Sequence, residues 1–454
     1  MIKKDFSTQN QLLRRISSLV SENKELKERY KTLSDSYARL ASEVENLRNH
    51  EAKQENETRQ VRFELVTILF AEIKGLSNII KKSDDVAGYI DLLDRHFFQF
   101  QAILKKYGMV KVRTMGDNFV CAGGIPRKNA TNPITVTLAA LEMLDVMDSD
   151  RQGTWSVNIG IHTGAVTTSI EGKDQTTYGI KGDTLNVVSR IASIGEKNVV
   201  TLSATTYELV KELFDCTYTG CLPVKYRQKL ELYGVEGIQQ EYSSDKKCRF
   251  SNEAFRTRLL LIQFGDLQEH ILDLLENKLP KNRFYHNVKH TVDVVTESEL
   301  IGWAEGLDDH QLLLLKTAAL FHDTGHIIAY ADHEERSTEI ARETLPSYGY
   351  SPAEIDEICR IIMATKLPPK PADLLESIIC DSDLDYLGRA DFIPVSNALY
   401  EELKAQNKMT SLNEWNKMQL KFISSHQYFT KTGRNLREVK KQEQIDRIKR
   451  LIAD

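Results

Sequence analysis

The apolar residues of this 454-residue chain keep three different periods in turn, and each period admits a different kind of fold. The first is a heptad. Leu12, Ile16, Leu19, Asn23, Leu26, Tyr30, Leu33, Tyr37, Leu40, Val44 and Leu47 alternate steps of four and three, the 3.5-residue repeat of a coiled coil. With Ile16 at position a, every d position is Leu and Asn23 falls at a, a combination that favours a parallel, in-register dimer. Glu22 with Lys27 and Glu43 with Arg48 occupy g and the following e, where opposite charges attract across such a pair. Residues 1–60 are therefore expected to form a dimeric coiled coil.

After residue 60 the period shortens. Phe63-Glu-Leu-Val-Thr-Ile-Leu-Phe70 and Val110-Lys-Val-Arg113 are β-branched or aromatic and predict strands, as do Met115–Cys121, Asn158–His162 and the stretch around Val199–Leu202. Helical patterns at about 85–107, 133–148, 183–194 and 204–214 lie between them. Alternating strands and helices imply an α+β sheet domain, with boundaries set at 61–242. A short polar stretch, Glu241-Tyr-Ser-Ser-Asp-Lys-Lys-Cys248, then gives way to a third period. Residues 250–454 read as helices throughout: 253–279, 288–304, 309–323, 334–345, 352–365, 371–380, 391–404 and 434–452.

Chemistry concentrates in that helical part, which holds eight of the eleven histidines after residue 265. Phe284-Tyr-His-Asn-Val-Lys-His290, Phe321-His-Asp-Thr-Gly-His326 and Asp381-Ser-Asp-Leu-Asp385 bring imidazoles and carboxylates into three short segments. That donor set suits a first-row divalent ion, whose effect on bound water and on a phosphoryl oxygen is what phosphoester hydrolysis needs. His326 and His333 are second-layer partners or ligands to a second ion. His270, His310 and His426 are expected to be ordinary core histidines.

The adjacent His322-Asp323 pair, at the end of the apolar helix Leu312–Phe321 and just before Gly325, resembles the signature of the HD superfamily of metal-dependent phosphohydrolases. The resemblance implies a metal held by His290, His322, Asp323 and Asp383, with Mn, Fe, Zn, Ni or Mg as the ion. Asp383 is chosen over Asp381 on the family's Asp-x-Asp pattern. Tyr285-His286-Asn287 with His290 and Asp293 also looks like the signature of cyclic-nucleotide phosphodiesterases, which makes His286 the general acid that protonates the leaving ribose oxygen.

Residues 64–235 resemble class III nucleotide cyclases, whose catalytic domain is an α+β ferredoxin-like fold. The matches are Leu69-Phe-Ala-Glu-Ile-Lys-Gly75, Arg113-Thr-Met-Gly-Asp117, Gly160-Ile-His-Thr-Gly164 and Tyr178-Gly-Ile-Lys-Gly-Asp-Thr-Leu-Asn-Val-Val-Ser-Arg190. The family implies Mg or Mn at Glu72 and Asp117, and Asn186 and Arg190 as catalytic residues placing the ribose and the transition-state phosphate. Arg113 and Gly179 correspond to the base-selecting positions, and Lys225 to a phosphate-neutralising residue. The family usually has Asp at the first metal position, Lys where Arg113 stands and Asp where Gly179 stands, so adenine is not implied. His162 belongs to a structural motif. Class III sites form between two protomers, which the coiled coil would bring together.

The whole reads as a multidomain protein: an N-terminal parallel coiled coil, an α+β class III cyclase domain and an all-α HD-type domain. Two functions compete. One is a bifunctional enzyme that makes a cyclic nucleotide from a nucleoside triphosphate and hydrolyses a cyclic or otherwise phosphorylated nucleotide. The other is an HD phosphohydrolase switched by a non-catalytic, nucleotide-sensing cyclase-like domain. The net charge of −5 offers no footprint for nucleic acid or an anionic membrane. No apolar run approaches a span, the first residues lack a signal-peptide pattern, and the six cysteines are dispersed. The expected setting is the reducing cytoplasm.

Overall fold

A computed structural model describes residues 60–75, 86–149, 155–171, 177–223 and 229–452. The heptad segment, Lys225 and residues 76–85 lie outside the described residues. By their contacts, the described residues of 63–166 and 182–452 make one compact unit, and those of 60–62 and 167–181 belong to another.

The sheet begins with β1 (Gln60–Lys74), α1 (Val86–Lys106), β2 (Val110–Met115), β3 (Asn118–Gly123), α2 (Asn132–Ser149) and β4 (Ser156–Glu171). Those four strands lie in the order β2-β3-β1-β4, the arrangement of a βαββαβ ferredoxin-like unit. β5 (Thr177–Lys181) pairs with the end of β4, and α3 (Asp183–Ile194) follows. β6 (Val200–Ser203) extends the sheet parallel to β4, and α4 (Ala204–Val210) leads into the antiparallel pair β7 (Phe214–Leu222) and β8 (Leu230–Ile238). The β-branched run of β1 is buried at Val66, Ile68, Leu69, Ala71 and Ile73 because helices cover it. α1 lays Leu93, Phe97, Phe100, Ile103 and Leu104 into this core, against Phe119 of β3. Gly160 has a packing reason: a Cβ there would stand 2.6 Å from the Ala192 backbone nitrogen, so β4 admits α3 only at a glycine.

The remainder is helical. α5 (Glu253–Lys278), α6 (Val288–Ala304), α7 (Asp309–Phe321), α8 (His333–Thr344), α9 (Pro352–Met363), α10 (Leu374–Asp383), α11 (Phe392–Ala405), α12 (Leu412–Ser425) and α13 (Val439–Leu451) follow in order. α7 is the central rod: it is apolar nearly all round, and Leu312 to Leu315 and Thr317 to Phe321 are buried. Asn287, Asp308, Ser351 and Asp373 cap α6, α7, α9 and α10 with their side chains. Among the described residues, no helix is long and apolar enough to cross a membrane.

Several expectations are corrected. α7 ends at Phe321, two residues short of the expected boundary, so His322 and Asp323 sit on its C-terminal turn. The helix expected at 204–214 stops at Val210, because β7 begins at Phe214. His270 and His310 are surface residues, and His310 lies 3.3 Å from Glu354. His426 is half-buried, and neither of its ring nitrogens has a hydrogen-bond partner, so it is not a satisfied core histidine.

One ion pair ties α5 to the start of α9. Arg256 donates to both Glu354 oxygens at 2.8 and 2.7 Å and to the Gly349 carbonyl at 2.8 Å, while the Ser351 N–H reaches Glu354 at 2.7 Å. Burial works to raise the Glu354 carboxyl, but Arg256 and Ser351 outweigh it and hold it at about 2. A carboxyl depressed on folding stabilises fully above its unfolded value and loses that contribution as pH falls through the folded one. Glu354→Gln is therefore expected to cost about 1.5–3 kcal/mol near neutral pH, a penalty that shrinks as pH falls from about 4.5 towards 2. Urea melts of both proteins across that range check it; a pH-independent difference contradicts it.

Candidate metal centre and cyclase-type site

Three helix ends meet at the histidine–aspartate cluster. Asn287, as N-cap of α6, accepts the His290 N–H at 3.2 Å and so fixes His290 in the first turn. His322 gives its Nδ1–H to the Ala319 carbonyl at 2.8 Å, which leaves Nε2 as the free, ligating nitrogen. Gly325 lets the following turn pack on α8, since a Cβ there would collide with the His333 carbonyl. Asp383 closes the site from the end of α10.

The ligand atoms converge. His290 Nε2 lies 3.1 Å from Asp383 Oδ1, 3.3 Å from Asp323 Oδ2 and 3.3 Å from His322 Nε2. His322 Nε2 lies 3.3 Å from Asp323 Oδ2 and 3.6 Å from Asp383 Oδ1. Donors about 2.0–2.2 Å from one ion stand about 3–3.6 Å apart, so these four fit a single divalent ion. Burial opposes every charge here, yet the carboxylates hold His290 above and His322 well above the ordinary imidazole value. The imidazoles in turn hold Asp323 and Asp383 below theirs.

A second triad adjoins the first: His286, Asp323 and His326 bring ligating atoms together as well. Asp323 Oδ1 lies 3.9 Å from His326 Nε2 and 3.4 Å from His333 Nε2, while Oδ2 faces His290 and His322, so one carboxylate faces both groups. Burial first, then the neighbouring His286, pushes His326 down to about 2, leaving a neutral ring whose two nitrogens are buried without a partner. The orphaned nitrogens of His326 beside the Asp323 carboxylate suit a second ion held by those two residues, which leaves His286 out of the ligand set.

The three acidic residues of the Asp381-Ser-Asp-Leu-Asp385 stretch take different roles. Asp381 accepts the N–H groups of Phe429 and Thr430, each at 2.8 Å, and the Thr430 hydroxyl at 2.7 Å. Asp385 pairs with Arg437. Asp383 alone of the three faces the histidines, because a two-residue step on α10 turns the side chain to the opposite face.

Sequence reasoning missed Glu402. This wholly buried residue of α11 accepts His286 Nδ1–H at 2.6 Å and the N–H groups of Tyr285 and His286 at 2.9 and 3.2 Å. Burial works to raise its carboxyl, but His286 and the two amides keep it below its ordinary value. Nothing in the local sequence marks it, more than a hundred residues from its partner.

The cyclase-type residues occupy a second region. Glu72 closes β1 opposite Asn118, and Asp117 stands in the β2–β3 turn, its carbonyl accepting the Ile73 N–H at 2.9 Å. The two acidic residues are thus neighbours across one hydrogen-bonded turn. Glu72 Oε1 pairs with Lys74 at 2.6 Å, and Oε2 is buried with no partner. Asn186 and Arg190 are exposed on one face of α3, and Arg190 donates to the Pro223 carbonyl at 2.8 Å. Arg113 is exposed on β2, and Gly179 pairs with Ser169 in the β4–β5 ladder. His162 shares a 2.7 Å hydrogen bond with Ser203, within the sheet.

Comparison with known proteins agrees with this division. Residues 58–237 match the family described as adenylate and guanylate cyclase catalytic domain, and residues 287–387 match the HD domain. The receptor-type guanylate cyclase gcy-13 of Caenorhabditis elegans is 29% identical over 188 residues, covering 39% of this chain and 18% of that protein. Atrial natriuretic peptide receptor 2 of Mus musculus is 30% identical over 186 residues, with coverages of 39% and 18%. The chain therefore spans less than a fifth of these relatives' length. Among solved structures, the adenylyl cyclase CyaB from P. aeruginosa is 23% identical with a TM-score of 0.37, covering 41% of this chain and 100% of that one. The guanylyl cyclase domain of the RhoGC fusion protein from Blastocladiella emersonii is 24% identical with a TM-score of 0.37, at 39% and 99% coverage. The chain joins a class III cyclase domain to an HD-superfamily domain.

Two outcomes follow from the geometry. Ion binding must displace protons from His290 and His322, whose values are raised, so Mn²⁺ affinity should climb with pH through and above the ordinary histidine value of about 6.5. Titration calorimetry checks this, and an affinity flat from acid to alkaline pH contradicts it. Asp383→Asn should weaken Mn²⁺ binding at least about tenfold. Asp381→Asn should instead lower the melting temperature, at a cost of about 1–3 kcal/mol.

Proposed function

We propose that this chain is a bifunctional cyclic-nucleotide signalling enzyme, a nucleotide cyclase joined to an HD phosphodiesterase. The convergence of His290, His322, Asp323 and Asp383 on one point is the observation that carries the hydrolytic half. A divalent ion held there supplies Lewis acidity, polarising a phosphoryl oxygen and lowering the pKa of bound water. Glu402, ionised and holding His286 Nδ1–H, leaves Nε2 as the ring atom turned to the cavity. From there His286 delivers a proton to the leaving ribose oxygen, and Glu402 stabilises the charged ring that must precede the transfer.

The cavity, of about 530 Å³, supports a nucleotide as substrate. Away from the histidines it is walled by Tyr386, Leu399, Trp415, Met418 and Phe422, apolar surfaces that suit a planar base. Gln419 lies in that wall, 4% exposed, with Oε1 buried and unpaired, an acceptor for a nucleobase N–H.

In the cyclase half, Glu72 and Asp117 would hold the ions, Asn186 and Arg190 would act on the ribose and the phosphate, and two protomers would complete each site. The coiled coil is proposed as the dimerising element. The Glu72–Lys74 ion pair favours the second reading, a nucleotide-sensing domain without turnover, since Lys74 already satisfies one oxygen of the first metal position.

Mass spectrometry after offering nucleoside triphosphates with Mn²⁺ separates the readings. Cyclic product should accumulate in a His322→Ala, Asp323→Ala variant and vanish when Asp117→Ala is added; no cyclic product in any variant supports the sensor. For the hydrolase, His286→Ala should lower kcat on a cyclic nucleotide by about 10²–10⁴. It should act far less on bis(p-nitrophenyl) phosphate, whose leaving group needs no proton. Equal losses on both substrates contradict the general-acid role.

A further inference from the structure

We propose that the edge of the HD cavity formed by Tyr330 and Lys408, with Arg283 against the same ring, is an anion subsite for a second phosphate of the substrate, apart from the one presented to the histidine–aspartate cluster. The proposal rests on the nucleotide-hydrolase reading and adds to its cyclic mononucleotide a second ligand class, a nucleotide phosphorylated at two positions, such as a dinucleotide or a nucleoside bisphosphate.

Two cations meet at one ring there. Lys408 Nζ lies 3.9 Å from the centre of the Tyr330 ring, and the Arg283 guanidinium carbon lies 4.9 Å from it. Tyr330 and Lys408 both line the cavity. Arg283 Nε and Nη1 are buried without a hydrogen-bond partner. Among the described residues, neither cation is paired with a carboxylate. The other lysine of the cavity lining is paired: Lys366 with Asp332 at 3.6 Å and with Glu335.

A cation–π contact contributes less than the buried donors of a guanidinium forgo when unpaired. Two like charges on one ring also repel each other. A phosphate relieves both costs, because its oxygens match the planar fork of Arg283 and neutralise Lys408.

Position decides which phosphate. The Tyr330 ring is 5.3 Å from the His326 ring and 6.1 Å from that of His286, whereas His286 is itself 6.0 Å from the His290 ring. The cationic edge thus adjoins the His286–His326 side of the cavity, one ring beyond the His290–His322 cluster. A 3′,5′-cyclic mononucleotide has a single phosphate and leaves this edge unfilled.

Calorimetric binding of adenosine 3′,5′-bisphosphate and adenosine 5′-monophosphate to the full chain with Mn²⁺ tests the subsite, with the guanosine pair run alongside. The bisphosphate is expected to bind about tenfold tighter than the monophosphate, the size of one charge-assisted contact. Lys408→Ala should bring the ratio close to one, and Lys408→Arg should keep it. Arg283→Ala should do as Lys408→Ala does, its folding checked by melting temperature. Lys408 is exposed, so its variants keep the test valid if Arg283→Ala unfolds. Equal wild-type affinities, no measurable binding of either ligand, or an unchanged ratio in Lys408→Ala overturns the proposal. Binding needs no turnover, so failure to hydrolyse cyclic nucleotides would refute the function proposed above without deciding the subsite.

Discussion

The carboxylate of Asp323 is the constraint around which the helical domain is built. It is 7% exposed, its Oδ2 has no hydrogen-bond partner, and His290 and His322 stand 3.3 Å from that atom. A carboxylate buried this way is costly unless positive charge meets it. Protons on the imidazoles can supply that charge, and so can a divalent ion, and the two compete for the same nitrogens. The other oxygen faces His326 at 3.9 Å and His333 at 3.4 Å, so the same side chain links the two clusters. The rest of the domain serves this placement. The apolar rod Leu312–Phe321 brings the His-Asp pair to the interior, Asn287 sets the first turn that carries His290, and α10 delivers Asp383.

Much of this was legible in the sequence where a local rule controlled the outcome. The strands at Phe63 and Val110 and the helices at 183–194, 253–279 and 288–304 follow from period alone, and the structure places them within a few residues. The adjacency of His322 and Asp323 is local too. What was hidden depends on packing between distant segments. β7, Phe-Asp-Cys-Thr-Tyr-Thr-Gly-Cys-Leu, is largely exposed between its ends, so it lacks the alternation that marks a half-buried strand. β8 is interrupted by Gly234 and Gly237. Helix α12 went unread, and with it Trp415, Gln419 and Phe422 of the cavity wall. Glu402 could not be found because its partner lies 116 residues earlier and only the fold brings them together.

The two halves differ in what a single chain contains. In the helical domain every proposed ligand converges within one protomer. In the sheet domain Glu72 on β1 lies beside Asp117 of the β2–β3 turn, while Asn186 and Arg190 are presented outward on α3. A site divided in this way suits completion by a second copy, whereas the hydrolase site needs none.

The central claim is that the four converging side chains form an ion site. The most direct measurement is metal content by mass spectrometry of the full chain after loading with Mn²⁺ and exhaustive desalting. At least one ion per chain is expected in a Glu72→Ala, Asp117→Ala background, which removes the cyclase ligands. None is expected at the HD cluster when His290→Ala and His322→Ala are added. Equal metal content in the two proteins, or none in either, would contradict the account.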